Sequence, residues 1–570
     1  MKRAFSLLAM LCLTTAGFGT EAASLRVRLW SQHVVHTLTL SASPSIQVRT
    51  CVNCAPLPGT DFSVTATGAG LQVNDTKIPR LRVNGSYIVR VEGRPVQLSA
   101  PLELTARNGR VIITASMPLE EYVAGVLAGE AGGMRSPEAL KAMAVAIRTY
   151  AVHFRLRHQS ENFDFCDSTH CQDLRLSGTS DRVNAAVAAT EGELLWYQGS
   201  TIASYYHQDC GGTTERGTED LSARGRVMPY LPQQSDSWCP RRGSAQWQST
   251  IAKNDLARAL RAAGLRVPAN IRSVSVGSRS PSGRVAAVRI AGEFGATVAE
   301  DRFHLAVGRA LGWQHLRSSM YDISDRGEGV TFTGRGNGHG VGLCQAGASV
   351  MGNEGHDYRE ILAYYYPHTA VGLTAQGLRW TSLGGARIDL LTIHPQSDGP
   401  LLSQAERLLS EAEQRSGIVH SSTRPILRVY PTLDAYRDAT GEPGWVAAST
   451  RGNVIRLQPP DVLQRTRSLD AVLRHEFLHL LVQSKSRPDT PLWLREGLVL
   501  WLNGDAARSR RTTMSLAQVE RSLRSPASQE DLRAAYAAAQ AQVAILARRN
   551  GKPGVIAMLS DGLPAELRGN

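Results

Sequence analysis

Beyond residue 24 the chain begins with short alternating runs. Residues 25–29, 34–40, 71–73, 87–91 and 96–98 switch between apolar and polar positions and are divided by Gly, Asn, Asp and Pro. That is the pattern of strands joined by turns, and it predicts a β-rich domain over 23–105. The period changes at Ser116. Leu119, Tyr122, Val123, Val126 and Leu127 follow Pro118 at helical spacing, and Gly132 and Gly133 stop the run. A second helix opens at Ser136-Pro137, a cap with proline in the first turn. Its stripe is Leu140, Met143, Ala144, Ile147, Ala151 and Phe154. Strands and loops then run to about residue 374, with 235–321 reading as an insertion packed beside the core. The stretch 382–386 (SLGGA) reads as a linker. After it come a strand (388–393), a helix (401–415), strands (426–430, 454–457) and several helices. The expected fold class is α+β in several domains: the β-rich region, an α+β unit at 106–380, and a helix-rich mixed α/β unit at 386–570.

Length supports that division, because 570 residues exceed what one core organises. A hydrophobic content of 42% with 20% charged residues is ordinary for globular domains. The net charge of +13 is scattered, with no basic run dense enough for a nucleic-acid site. The opening residues read as an export signal over 1–22. Lys2 and Arg3 precede an apolar stretch at 4–18, and Thr20 and Ala22 give a small-residue cleavage pattern. The apolar run falls short of the roughly 20 residues of a membrane span, so no transmembrane anchor is expected after signal cleavage. The expected location is secreted, periplasmic or cell-wall associated, where polyanions are wall glycans or lipid headgroups. Of eight cysteines, Cys12 lies in the signal; seven remain, an odd number that leaves at least one thiol free, paired between chains, or bound to metal. Cys51 and Cys54 read as a local disulfide or an ordinary loop.

Glu130 is the first residue with chemical promise. It stands eleven residues after Leu119 and so, at about 3.6 residues per turn, returns to the apolar stripe. It also lies in the last turn, where the helix dipole is negative. Both settings disfavour ionisation and suit a general acid; a helix-end glutamate turned to solvent is the alternative. Four blocks extend the picture: MPLEEYVAGVLAGEAG at Met117, ALKAMAVAIRTYAV at Ala139, ATEGELLWYQGSTIASYYHQDCGGTTE at Ala189 and GRGNGHGVGLCQAGASVMG at Gly334, with ILAYYYPHT at Ile361 closing the set. In this order, over 117–374, they resemble the stage II sporulation protein D / amidase-enhancer family (SpoIID/LytB). The resemblance implies lytic transglycosylase-like cleavage of peptidoglycan glycan strands lacking stem peptides, with Glu130 catalytic. It also implies substrate contacts from Arg148, Gln172, His207, Glu215, His339 and Gln345, each of which also admits a structural role. The family often shows Glu-Met where this chain has Glu130-Ala131. Some family members bind zinc near FCDSTHCQD, so Cys166, His170 and Cys171 form a possible second metal site, with His158 a possible fourth ligand; a Cys166–Cys171 disulfide is the alternative.

The second constellation is HEFLH. His475, Glu476 and His479 follow a Ser468 cap with helical apolar spacing, which puts both histidines on one face. Glu496 follows His479 by seventeen residues, in WLREGLVLWL after Thr490-Pro491. The pair of motifs resembles the gluzincin-type (peptidase MA-like) zinc metallopeptidases. That resemblance implies zinc bound by His475, His479 and Glu496, Glu476 activating water, and a peptide or protein substrate along the 454–457 strand. Tyr536 reads as packing or as an oxyanion donor. The combined expectation is an exported wall enzyme with two catalytic domains. The alternative is a non-catalytic wall-binding or amidase-enhancing module, with a wall amidase as partner, that targets a zinc metallopeptidase.

Overall fold

The computed structural model describes residues 24–570, apart from 52–53, 69, 220, 222–224, 244, 421–422, 465–467, 505–513, 525–528, 565–566 and 568–570. The export signal at 1–22 lies outside the described residues. Helices and strands are mixed throughout, 37% and 29%, in an α+β multidomain arrangement.

The first strands build a ten-stranded sheet in which Leu25–Leu29 pairs with Arg110–Met117. Their burial alternates strictly, so one face turns inward. That face does not close on itself. Phe165–Cys166 adds a parallel strand to Leu25–Leu29, and Tyr122 and Tyr150 pack on Phe165 with ring centroids 5.5 and 6.3 Å away. The sheet and the helices Leu119–Ala131 and Pro137–His153 therefore share one core, which runs from Leu25 to Tyr366. The sheet also passes the expected domain boundary at residue 105, which falls inside the Leu102–Arg107/Arg110–Met117 hairpin. The second helix is capped as its sequence implies, Ser136 Oγ accepting from the Ala139 amide.

Residues 246–335 form a separate body with its own core around Trp247, Leu256, Phe303 and Phe332. The insertion expected at 235–321 extends further, because Gln246–Ala252 takes its antiparallel partner from Gly329–Arg335. Strand pairing is non-local, and the closing hairpin is indistinguishable in sequence from the domain that follows.

The last unit centres on a five-stranded sheet in the order Thr381–Gly384, Asp389–Thr392, Ile426–Val429, Val454–Leu457, Ala448–Arg451. The glycine-rich stretch read as a linker is thus the first strand of this sheet, paired antiparallel with Asp389–Thr392. Helices Pro395–Ser416, Leu469–Lys485, Leu492–Asn503 and Gln529–Asp561 contribute to its core. Glu191 of the preceding unit joins the two: its buried carboxylate meets Arg428, Arg456 (3.1 Å) and the Tyr430 hydroxyl. Burial pushes this carboxyl up, but the Arg428 and Arg456 guanidiniums outweigh it and hold it down at about 2.

Candidate functional site

Glu130 occupies the last turn of the Leu119–Ala131 helix, half-buried. Its Oε1 accepts the Asp173 amide at 2.9 Å. Burial pushes the carboxyl above its ordinary range, the Asp173 amide opposes this, and the Asp173 carboxylate adds to it. A cavity of about 330 Å³ opens here, lined by Glu130, Gly129, Gly132, Arg175 and Ser180 among others. The loop reaches Glu130 because the helix lacks side chains where the two touch. A Cβ on Gly129 would stand 2.2 Å from the Asp173 carbonyl oxygen. Gly129→Ala must therefore displace the loop, and a loss of about 1–3 kcal/mol is expected; an unshifted denaturation midpoint contradicts this packing.

The expected substrate contacts divide into two groups. Gln172 is buried and bridges two phenols, accepting from Tyr122 (3.0 Å) and donating to Tyr206 (2.8 Å). Next to Tyr206, His207 is buried, its Nδ1 donates to the Val341 carbonyl (3.1 Å), and its Nε2 has no hydrogen-bond partner. Its ring meets His339 edge-on at 5.6 Å. The loop around His339 lies against this strand, and a Cβ on Gly342, at φ +72°, would come within 2.0 Å of the Tyr205 carbonyl. Glu130, Gln172, Tyr206, His207 and His339 are thus one connected region. Gln345 starts the Gln345–Asn353 helix beside it, buried.

Arg148 and Glu215 are employed otherwise. Arg148 is 0% exposed, holds Glu120 through two bonds of 2.7 and 2.6 Å, and donates its remaining hydrogens to Glu193, Thr190 and Val187. All five donors are spent inside the core, so in place of the implied substrate contact Arg148 forms a structural ion pair. Glu215 accepts from Ser282 (2.7 Å) and Ser280, clasping the 246–335 body. Sequence reasoning passed over Tyr206, Asp173 and Arg175; Tyr206 adjoins a flagged histidine, but its partner Gln172 is 34 residues away.

Beside the Asp173 loop, His158, Cys166, His170 and Cys171 converge, their ligand atoms all within 4.8 Å of one another. The sulfurs are 3.1 Å apart, His158 Nε2 is 3.3 Å from Cys171 Sγ, and His170 Nδ1 is 3.5 Å from Cys166 Sγ. His158 Nδ1 lies 3.2 Å from Glu161, an orienting contact of the kind metal-ligating histidines make. The fourth donor flagged from sequence is in place, and both cysteines are free thiols here. Cys51 and Cys54 are joined as a disulfide.

In the C-terminal unit, Ser468 caps the Leu469–Lys485 helix. His475 and His479 face each other with Nε2 atoms 3.0 Å apart, and Glu496 on Leu492–Asn503 lies 3.6 Å from His479 Nε2. Burial pushes Glu496 up to about 7, with Glu476 adding to it, and drives His479 well down. Two imidazoles and a carboxyl turned inward at this spacing are a donor set that a zinc-like cation satisfies. Glu476 is buried, its Oε2 accepting from the Thr450 hydroxyl at 2.7 Å. Thr450 belongs to Ala448–Arg451, which corrects the edge assignment: Val454–Leu457 is paired on both sides, and the strand at the sheet's end is Ala448–Arg451. A small cavity of about 200 Å³ joins Thr450, His479, Arg495 and Glu496. Burial and then the Glu496, Glu442 and Glu476 carboxyls push the Tyr536 hydroxyl up.

Comparison with known proteins agrees with the first region. Residues 107–197 match the stage II sporulation protein family model, and 219–342 match a domain of unknown function (DUF8618) that spans the inserted body. An uncharacterized protein of Brachyspira hyodysenteriae is 31% identical over 265 residues, 45% of this chain and 68% of that protein. Stage II sporulation protein D of Bacillus subtilis is 28% identical over 290 residues, 48% and 79% respectively. The amidase enhancer of Bacillus subtilis is 25% identical over 289 residues, 43% and 40%.

Proposed function

We propose that this chain, which carries a stage II sporulation protein D domain, is an exported cell-wall enzyme that cleaves glycan strands lacking stem peptides and carries a C-terminal zinc peptidase. The observation that carries the first activity is Glu130: a carboxyl at a helix C-terminus, raised by burial, held at one oxygen by the Asp173 amide, and opening on a cavity. Held protonated, it donates to the glycosidic oxygen as the leaving sugar departs. As a carboxylate it then takes the proton of the sugar's 6-hydroxyl while that oxygen closes on the anomeric carbon, which yields an anhydro end without water. The buried Gln172 bridge keeps Tyr122 and Tyr206 in register with the Asp173 loop, so Glu130 is oriented by packing rather than by a mobile chain. Zinc at His158, Cys166, His170 and Cys171 fits a closed structural set at the base of the same loop. The test is release of soluble fragments from purified strands. Peptide-free strands are expected to be cut and peptide-bearing strands spared, and no release from either contradicts the proposal.

For the C-terminal unit, His475, His479 and Glu496 would hold zinc, which supplies Lewis-acid polarisation of a carbonyl and of water. Glu476, fixed by Thr450, accepts the proton of the attacking water. Tyr536, whose hydroxyl feels the Glu496 and Glu476 carboxyls, would donate to the oxygen that develops charge. The Ala448–Arg451 strand, at the end of its sheet, offers backbone groups to an extended peptide beside Glu476.

A further inference from the structure

Three cysteines have no part in either site. Cys210, Cys239 and Cys344 are each 0% exposed and share one buried pocket with Asp236, 1% exposed. One ligand atom from each lies within 4.8 Å of the others, and Cys210 Sγ is 3.3 Å from Asp236 Oδ2. We infer that these four residues form a closed structural zinc site, Cys210–Asp236–Cys239–Cys344, that anchors the inserted body to the glycan-binding region.

The surroundings are built for thiolates. Backbone amides point at sulfur: Cys210 and Gly347 donate to Cys344 Sγ (3.3 and 3.5 Å), and Gly212 donates to Cys210 Sγ (3.3 Å). Cys344 also caps the Gln345–Asn353 helix, whose amide end favours the anionic sulfur. Asp236 is held rigidly, Oδ1 accepting the Trp238 and Cys239 amides (2.9 and 3.1 Å) and Oδ2 the Tyr365 hydroxyl (2.9 Å). A second observation points the same way. Arg284, fully buried, donates to the Cys210 carbonyl at 2.7 Å, while its Nε and Nη1 have no hydrogen-bond partner. The Glu215 and Glu300 carboxylates act on this buried cation together with Cys210 and Cys344, and a buried cation is costly where its counter-charge is incomplete. Three thiolates and a carboxylate around a dication are net anionic and add to that counter-charge.

Disulfide chemistry accounts for this pocket less well. Any one S–S bond among three thiols leaves a third sulfur beside a buried carboxylate, whereas tetrahedral zinc engages all four donors. The placement gives the site a purpose. Cys239 precedes the first strand of the 246–335 body by seven residues and Cys344 follows its last strand by nine. The metal would tie both stalks together, and Cys210 brings in the segment of His207.

The test uses the full chain, purified without added chelator. Zinc per chain is measured for the parent and for Cys239→Ser, with Asp236→Asn as a second variant that keeps every thiol should the first fail to fold. Loss of one zinc per chain, with the remaining metal retained, is expected. Peptide mapping of the parent after thiol blocking without reductant should find Cys210, Cys239 and Cys344 all reduced. Zinc content unchanged in the folded variants overturns the inference, as does a disulfide joining any two of the three in the parent.

Discussion

Glu130→Gln should abolish glycan cleavage, with a loss of about 10²–10⁴-fold, the range general acid–base groups contribute. The substitution keeps the shape and the Asp173 amide contact but removes the titrating proton, so the fold should be intact by thermal denaturation. The pH profile adds a second reading. Burial, offset by the Asp173 amide and reinforced by the Asp173 carboxylate, raises Glu130. A raised acid stays protonated to higher pH, so activity should persist above the ordinary carboxyl range and fall as pH rises through the shifted value. Asp173→Asn keeps the backbone amide and removes the like charge, which should move that alkaline limb to lower pH. Full activity in Glu130→Gln would assign the proton transfer to another group, whereas absence of cleavage by the parent chain would leave the wall-binding, amidase-stimulating reading in its place.

The second large effect separates metal from base in the C-terminal unit. His479→Ala should lose both one zinc and peptide cleavage, because it removes the donor that lies 3.0 Å from His475 and 3.6 Å from Glu496. Glu476→Gln should retain that zinc and lose cleavage by about 10²–10⁴-fold, since Glu476 faces Thr450 and only its proton acceptance is removed. Elemental analysis and a peptide-release assay on the same preparations check both. Equal zinc in parent and His479→Ala would make HEFLH a structural helix.

Local signals were legible in the sequence. The Ser136 and Ser468 caps, the stripe ending at Glu130, and the four-residue spacing of His475 and His479 are all set within one or two turns of chain. The fourth donor His158 was also visible, five residues before Phe163 in the same segment. What escaped depends on pairing across long separations. Arg148 reads as a substrate contact until Glu120, 28 residues away, is seen to occupy it. The Glu191 junction needs Arg428 and Arg456, more than 230 residues on. Val454–Leu457 and Ala448–Arg451 are equally strand-like, and only sheet order decides which is the edge. Cys210, Cys239 and Cys344 span 134 residues without a recognisable spacing, so their convergence is a property of the fold alone.

The central claim is that Glu130 breaks the glycosidic bond without water, and the ends of the products test it most directly. Asp173 stands at the same helix end as Glu130, and a water activated there would turn the same acid into part of a hydrolase. Mass spectrometry of fragments released from peptide-free glycan by the purified chain distinguishes the two by one water of mass per cleavage. Anhydro-ended fragments, absent with Glu130→Gln, are the predicted result; reducing-end fragments alone would contradict it.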